Sequence, residues 1–324
     1  MSDKSWLVDK PVELDDCPGE FEDIKCNYCG STERELVIKV KDYETFFSGQ
    51  FSIVRCSKCG LTYMAPRLTQ ETLIKYFYPE DYTCYGEQTV GFFEKLRWLV
   101  VSKPKVKVIS NLVGQKNIRL LDVGCGDGKF LHYLKLNTSW DAIGVDPNPI
   151  SVKFAEQKGI DVRPTSLEQA SFPDEHFDVV TMNQVIEHVP FPYDIMKEVF
   201  RILKKEGLFI TENPNYRGFE CRLFKSYWWG YHGPRHLHFY TYEMITKMLE
   251  SVGFNILKIN PKRRPGGIAW SFQNLLLEKG VDKNIAYRLG LNNPAMALLF
   301  AAPEIIISIF ERTSMMEVIS QKPA

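Results

Sequence analysis

The stretch RLLDVGCGDGK at 119–129 constrains this chain more than any other. An apolar run breaks there into three alternate glycines, Gly124, Gly126 and Gly128, with Asp122 two residues before the first. It reads as a buried strand emptying into a tight turn on which a ligand can lie almost against the backbone. Glycine suits both demands of such a turn, positive φ and close approach. The spacing after it predicts a helix over 129–136 whose free N–H groups face the ligand. That geometry suits a nucleoside cofactor.

Two cofactor classes compete for such a turn. The dinucleotide fingerprint is G-x-G-x-x-G, whose third glycine lets the helix pack on the strand. Here Lys129 occupies that third place, which disfavours a dehydrogenase. Asp122 is an odd neighbour for a pyrophosphate but suits a ligand that carries positive charge, and S-adenosylmethionine carries a sulfonium and an ammonium. The octet LDVGCGDG closely resembles the first motif of class I S-adenosylmethionine-dependent methyltransferases. The segment DAIGVD at 141–146 predicts a second strand ending in Asp146, 20 residues after Gly126 and followed by Pro147, where a carboxylate can accept the ribose hydroxyls. A helix over 150–158 and strands over 160–164 and 177–182 continue the alternation, which predicts a parallel sheet with helices on both faces.

The resemblance implies further roles. The segment after the third strand, Ser166 and Leu167, would line the adenine, and Asn183 with Gln184 would approach the methionine end. The phrase VIEHVP at 185–190 resembles the family's motif after the fourth strand. Glu187 there either caps or orients the next helix or serves the site; His188 is either a packed surface histidine or a participant in the chemistry.

Forty basic residues balance forty acidic ones, which argues against a nucleic-acid partner, whose phosphates reward a basic face. The start of the chain lacks a basic segment followed by an apolar core, so a cytoplasmic protein is expected. Four of the eight cysteines form two matched knuckles, Cys26-x-x-Cys29-Gly30 and Cys56-x-x-Cys59-Gly60. In a reducing compartment such pairs are better explained by a tetrahedral structural zinc than by disulfides. Strand-like segments at 36–40 and 51–55 fit a hairpin between the knuckles. The expectation is a zinc ribbon over 20–66.

The aromatic linker YFYPEDYTCY at 76–85 either docks the ribbon or walls the substrate pocket, with Tyr82 and Tyr85 as candidate contacts. A flanking helix over 91–112 follows. After a fifth strand over 207–212 comes YWWGYHGPRHLHFYT at 227–241, with His232, His236 and His238. If 235–240 is extended, His236 and His238 share a side. No carboxylate or cysteine has matching spacing, so a metal is not expected there. A histidine near its ordinary pKa could take the proton of an acceptor hydroxyl; His236 is the first choice, with His232 and His188 beside it, and Trp229 and His238 are candidate substrate contacts.

A sixth strand over 254–260 and an antiparallel seventh over 315–321 would close the sheet. The fold expected is therefore α/β, a doubly wound seven-stranded mostly parallel sheet at 118–261 and 314–324. It carries the small zinc ribbon, the linker and helix at 67–117, and a C-terminal helical insertion at 262–313. Within that insertion the apolar run at 295–310 is too short for the roughly 20 residues of a bilayer span. It reads as a buried hairpin, a homodimer face or a peripheral membrane contact, with Lys262, Arg263 and Arg264 on headgroups.

The whole pattern resembles bacterial methyltransferases found with surface-polysaccharide and sugar biosynthesis. It implies methyl transfer from S-adenosylmethionine to a small-molecule or lipid-linked glycan hydroxyl or carbon. Alternatives are a zinc-ribbon RNA methyltransferase, a quinone-type O-methyltransferase and a non-catalytic S-adenosylmethionine-binding protein.

Overall fold

The structure is a computed structural model that describes residues 19–45, 47, 49–78, 92–114, 117–264, 266–290, 296, 299–300 and 313–324, with the main-chain course alone for 92–101. Tyr82 and Tyr85 lie outside these residues, as does nearly all of 295–310.

The N-terminal part contains β1 (Phe21–Glu22), β2 (Arg34–Lys41), β3 (Gln50–Cys56), β4 (Thr62–Met64), β5 (Arg67–Leu68) and α1 (Gln70–Phe77). Then follow α2 (Phe92–Val113), β6 (Arg119–Val123), α3 (Lys129–Asn137), β7 (Asp141–Val145), α4 (Pro149–Gln157), β8 (Val162–Arg163) and β9 (Phe177–Asn183). The chain continues with α5 (Pro192–Ile202), β10 (Leu203–Pro214), α6 (Phe219–Phe224), β11 (His238–Phe239), α7 (Tyr242–Val252) and β12 (Asn255–Lys262). The last elements are α8 (Gly267–Glu278), α9 (Lys283–Leu289) and β13 (Met315–Gln321).

The central sheet runs β12-β13-β10-β9-β6-β7-β8. Pairings from β8 to β10 are parallel, and β13 is inserted antiparallel between β10 and β12. The expected sheet is thus present in its expected strand directions, with a Rossmann-like methyltransferase topology. The third strand is only two residues long because Gly159 turns the chain at φ +67 and Pro164 removes a donor just after it.

Adjacent residues divide the apolar content between the two faces, as the strand period requires. Leu121, Val123, Val180 and Met182 pack with α5 and α7, through Met196, Val199, Ile245 and Met248. Leu120, Val179, Leu208 and Ile210 pack on the other face with Ile109, Leu131, Leu134 and Val152. Val179 and Val180 are both fully buried, and each such side chain stabilises by roughly 1.5–3 kcal/mol.

Helix ends follow local chemistry. Asn148 caps α4 through its carboxamide to Ile150 and Ser151 N–H, with Pro149 as the first helical residue. Thr241 caps α7, and Gly253 in the left-handed region ends it.

The N-terminal strands form a second sheet, β11-β4-β3-β2, and its outer strand β11 comes from the histidine-rich loop, with His238 opposite Tyr63. The core on the α5 and α7 face continues without a break into Cys26, Val54, Cys56, Leu61 and Tyr63. The N-terminal module is therefore fused to the central sheet. Its β2–β3 loop is brought against the loop at 228–236, where Arg235 pairs with Asp42.

Candidate active site

At the carboxyl end of β6 the chain turns through Gly124, Gly126 and Gly128, at φ +65, +55 and +71. Asp146, ending β7, accepts Gly126 N–H at 2.8 Å on one oxygen and Asn148 N–H at 2.9 Å on the other. Each oxygen keeps a further lone pair. A Cβ on Gly124 would sit 2.4 Å from Val185 Cγ2, whereas one on Gly126 would meet nothing within 4 Å. The open space beside Gly126 is where a ligand can approach the backbone.

Register places Thr181 of β9 opposite Asp122 of β6. Its hydroxyl donates to Asp122 Oδ1 at 2.6 Å, and Asn183 Nδ2 donates to the same oxygen at 3.3 Å. Lys105 of α2 donates to Asn183 Oδ1 and lies 5.3 Å from the Phe130 ring centre. Burial pushes the Asp122 carboxyl up to about 6, with Thr181 and Lys105 working against that rise. Asp146 is raised for the same reason and held back by its backbone donors. Pro147 lies in the same turn as Asp146. The Ser166 and Leu167 carbonyls both accept Ala170 N–H, at 3.1 and 3.2 Å, and the Leu167 side chain is buried in the core.

Gln184 takes a left-handed φ of +53, with its N–H on Glu212 O at 2.7 Å and its side-chain oxygen accepting from Arg264. A strained non-glycine backbone at the end of a central strand is common at functional sites. The next residues carry the turn back under the histidine-rich loop: Glu187 O accepts Leu237 N–H at 2.7 Å and His238 N–H at 3.2 Å, and Tyr240 donates to Ile186 O. Glu187 does not cap the following helix, whose N-cap is Phe191. Its carboxylate is buried, and neither oxygen has a hydrogen-bond partner among the described residues. Burial pushes this carboxyl up to about 8.

Glu187, His188 and His236 bring one ligand atom each within 4.8 Å of one another. The His188 and His236 rings meet edge to face at 4.6 Å, and His232 lies 4.9 Å from His236. The absence of a carboxylate near the histidines thus holds only along the chain, since Glu187 arrives from a segment 49 residues before His236. Burial, then His188 and His232, drives His236 well below the ordinary imidazole range; burial and His232 lower His188 to about 3. All three rings are therefore neutral near pH 7, against the expectation of an ordinary histidine pKa.

His232, at φ +36, sets Nε2 3.1 Å from Glu44 Oε1 of the β2–β3 loop. Burial would raise Glu44, but His232, Arg235 and Arg264 hold it at about 2. Arg235 is fully buried, with Nη1 3.1 Å from Asp42 and Nε donating to Phe77 O at 3.0 Å. His236 and His238 do not share a side. His238 enters β11, stacked between Tyr63 and Tyr240, so it belongs to the junction of the two sheets rather than to an open pocket. The reason is that 235–240 is not one strand: His236 N–H closes a turn on His232 O before β11 begins.

Trp229 is buried, stacked on Trp270 with Arg264 4.4 Å above its ring, and donates to Glu220. A small cavity beside it is lined by Tyr43, Glu44, Trp228, Trp229, His232 and Trp270. Arg264 thus faces the site, and Lys262 pairs with buried Glu317 at 3.1 Å. No helix among the described residues is long and apolar enough to cross a membrane. Glu44, Asp42, Lys105 and Trp270 join the site without a sequence signal of their own; Glu187 lay in the VIEHVP phrase and Arg235 in the histidine-rich motif, and Arg264 was expected elsewhere.

The four knuckle cysteines gather in one cluster beside the core shared with α5 and α7, with their sulfurs all within 4.8 Å of one another. Cys26 and Cys59 Sγ lie 3.5 Å apart, as do Cys29 and Cys56. A tetrahedral zinc with Zn–S near 2.3 Å sets sulfurs about 3.8 Å apart, so the four thiols fit that ion. The two knuckles are twins: Gly30 and Gly60 are both left-handed and donate to Cys26 O at 2.8 Å and Cys56 O at 2.9 Å.

Residues 102–259 match the family model described as "Methyltransferase domain". A ubiquinone biosynthesis O-methyltransferase of Cereibacter sphaeroides is 34% identical over 121 residues, 35% of this chain and 49% of that protein. A probable S-adenosylmethionine-dependent methyltransferase of Mycolicibacterium smegmatis is 28% identical over 174 residues, 53% of this chain and 65% of that one. The chain spans about half the length of the first of these relatives. Among solved structures, a SAM-dependent methyltransferase from Archaeoglobus fulgidus superposes with a TM-score of 0.47 at 20% identity, covering 72% of this chain and 100% of that one.

Proposed function

We propose that this protein, in which residues 102–259 form an S-adenosylmethionine-dependent methyltransferase domain, transfers a methyl group to a hydroxyl of a small-molecule or glycan acceptor. The observation that carries the reading is a convergence. The glycine turn with Asp122 and Asp146 lies at the same sheet edge as the cluster of Glu187, His188, His232 and His236, joined to it through the contact of Gly124 with Val185.

S-adenosylmethionine, when bound, supplies an electrophilic methyl on a sulfonium; as the acceptor oxygen forms its bond to carbon, the C–S bond breaks and its electron pair stays on sulfur. The protein's own tasks are alignment, exclusion of water and removal of the hydroxyl proton. Asp146 would hold the ribose, and Gly126 would let the ligand approach the backbone. Asp122, as a carboxylate, would face the positive end. His236 is suited to take the acceptor proton because its Nδ1 is fixed on Gly230 O at 2.8 Å, which leaves Nε2 as a base.

Four thiolates at Cys26, Cys29, Cys56 and Cys59 would hold a structural zinc, closing the coordination sphere with no place for water. The ion would stiffen the module that presents Glu44 and Asp42 to the histidine-rich loop. A phenolic, quinone-type acceptor is the second reading, favoured by the tryptophan and tyrosine lining of the cavity beside His232. A labelled-methyl screen against nucleotide sugars, lipid-linked glycans and catechols tests both. Transfer to none of these classes, with cofactor bound normally, would refute the proposal.

A further inference from the structure

We propose that Glu187, His188 and His236 bind a divalent transition-metal ion at the acceptor end of the site, a second metal centre distinct from the cysteine cluster. Three observations on independent parts of the trio lead there.

The first is the tautomer of each ring. His236 Nδ1 lies 2.8 Å from Gly230 O and His188 Nδ1 lies 3.1 Å from Arg235 O. A carbonyl only accepts, so His236 Nδ1 carries the proton and its Nε2 presents a lone pair; His188 Nδ1 also has the Tyr78 hydroxyl at 3.1 Å, and the same tautomer there lets its N–H serve the carbonyl while the hydroxyl accepts or turns away. A ring N–H anchored on a backbone carbonyl is the support that metal-ligating histidines use. The second is the carboxylate. Glu187 is 1% exposed, and neither oxygen has a hydrogen-bond partner among the described residues. A buried acceptor left bare costs about 1–3 kcal/mol, more when charged, so something must satisfy it.

The third is the spacing. The three ligand atoms stand within 4.8 Å of one another, yet no hydrogen bond joins Glu187 to either ring. Groups that satisfied each other would have closed to hydrogen-bond distance; these are arranged around a common guest. Three acceptors can be served together by one cation, and two imidazoles with one carboxylate suit zinc, iron, cobalt or nickel rather than magnesium or calcium. Three protein ligands leave a coordination position open, as in catalytic rather than structural metal sites. His232 is not a fourth ligand, because its Nε2 is taken by Glu44 at 3.1 Å. Arg235 is paired with Asp42 and Glu44, while Arg264 is the cation whose charge reaches Glu187 and His236.

The binding itself stands apart from methyl transfer, but its purpose rests on the reading above and changes the part of His236 in it: with Nε2 on the ion, His236 is a ligand rather than the proton acceptor, and the ion would lower the pKa of the acceptor hydroxyl so that its proton leaves to water.

The test is metal stoichiometry of the full-length protein by mass spectrometry, after equilibration with micromolar zinc and passage over a chelating resin. The wild type should hold about two equivalents per chain, and Glu187→Gln and His236→Gln about one, the other remaining on the cysteines. Affinity at the second site should fall by more than the roughly tenfold that even an outer-sphere partner contributes. One equivalent in the wild type overturns the proposal, as do two in both variants. Because wild-type stoichiometry decides by itself, a variant that failed to fold would not protect the idea. The measurement involves neither methyl donor nor acceptor, so an enzyme without this ion and an ion without the enzyme are told apart.

Discussion

Gly124 and Gly126 differ in what they face, and the difference can be measured. Both are left-handed, at φ +65 and +55. Alanine at either costs about 1–2 kcal/mol for placing a Cβ-bearing residue in that region. Gly124 carries a second cost. Its new Cβ would stand 2.4 Å from Val185 Cγ2 and 3.0 Å from Cγ1, and forcing a methyl into a packed contact costs about 1–3 kcal/mol. Gly124→Ala should therefore lose about 2–5 kcal/mol and Gly126→Ala about 1–2. Urea denaturation of the two variants reads the gap. Adding Val185→Ala to Gly124→Ala should recover the steric part and leave the backbone part, which a double-mutant cycle isolates. Cofactor affinity should rank in the opposite sense relative to stability. Gly126→Ala, the milder change to the fold, puts its methyl into open space and should weaken S-adenosylmethionine binding by more than about tenfold, or 1.4 kcal/mol, in calorimetry. Equal destabilisation by the two substitutions would refute the steric argument. Unchanged affinity in Gly126→Ala would refute the assignment of that space to the ligand.

Three further outcomes are expected. Burial holds Asp122 near 6 against 3.8 in the unfolded chain, so in the ligand-free protein its contribution to stability is present below about pH 4 and is lost as pH rises to about 6. A cationic cofactor wants the ionised form, so its affinity should fall as pH drops below about 6; calorimetry from pH 5 to 8 that shows no such slope would remove Asp122 from the cofactor site. Arg235→Met leaves buried Asp42 without its cation, though still accepting from Glu44 N–H and Thr45, and should cost up to about 3 kcal/mol. Adding Asp42→Asn should restore part of that loss in thermal melts, and no recovery would mean that Arg235 acts through Phe77 and Glu44 rather than through Asp42. Cys56→Ser should release zinc, measured by metal content, and impair turnover of acceptor while leaving cofactor affinity near wild type; loss of both together would show that the cysteine module supports the whole sheet.

The sequence disclosed whatever rested on neighbours in the chain. The glycine turn, the strand ending in Asp146, the α4 cap at Asn148 and the twin knuckles are each set within a dozen residues, where side-chain period and turn chemistry are decisive. The seventh strand was also visible, in the apolar pairs Met315–Met316 and Val318–Ile319 on either side of Glu317. What escaped was long-range pairing. The acceptor end is assembled from Glu44 in a loop of the N-terminal sheet, Glu187 after β9, His236 in the loop before β11, and Arg264 just past β12. Nothing local marks these as partners.

The pattern at 235–240 misled for the same reason. Alternation suggested one strand, but Arg235 is drawn to Asp42 across 193 residues, which holds 232–236 in a turn and delays the strand until His238. The outcome separates two histidines that sequence would pair: His236 turns toward Glu187, and His238 joins the sheet of the cysteine module. That division gives the N-terminal module a chemical reason to be fused to the methyltransferase sheet. It supplies the acids that neutralise Arg235 and anchor His232, and without them the loop that carries His236 has no fixed position beside the cofactor turn.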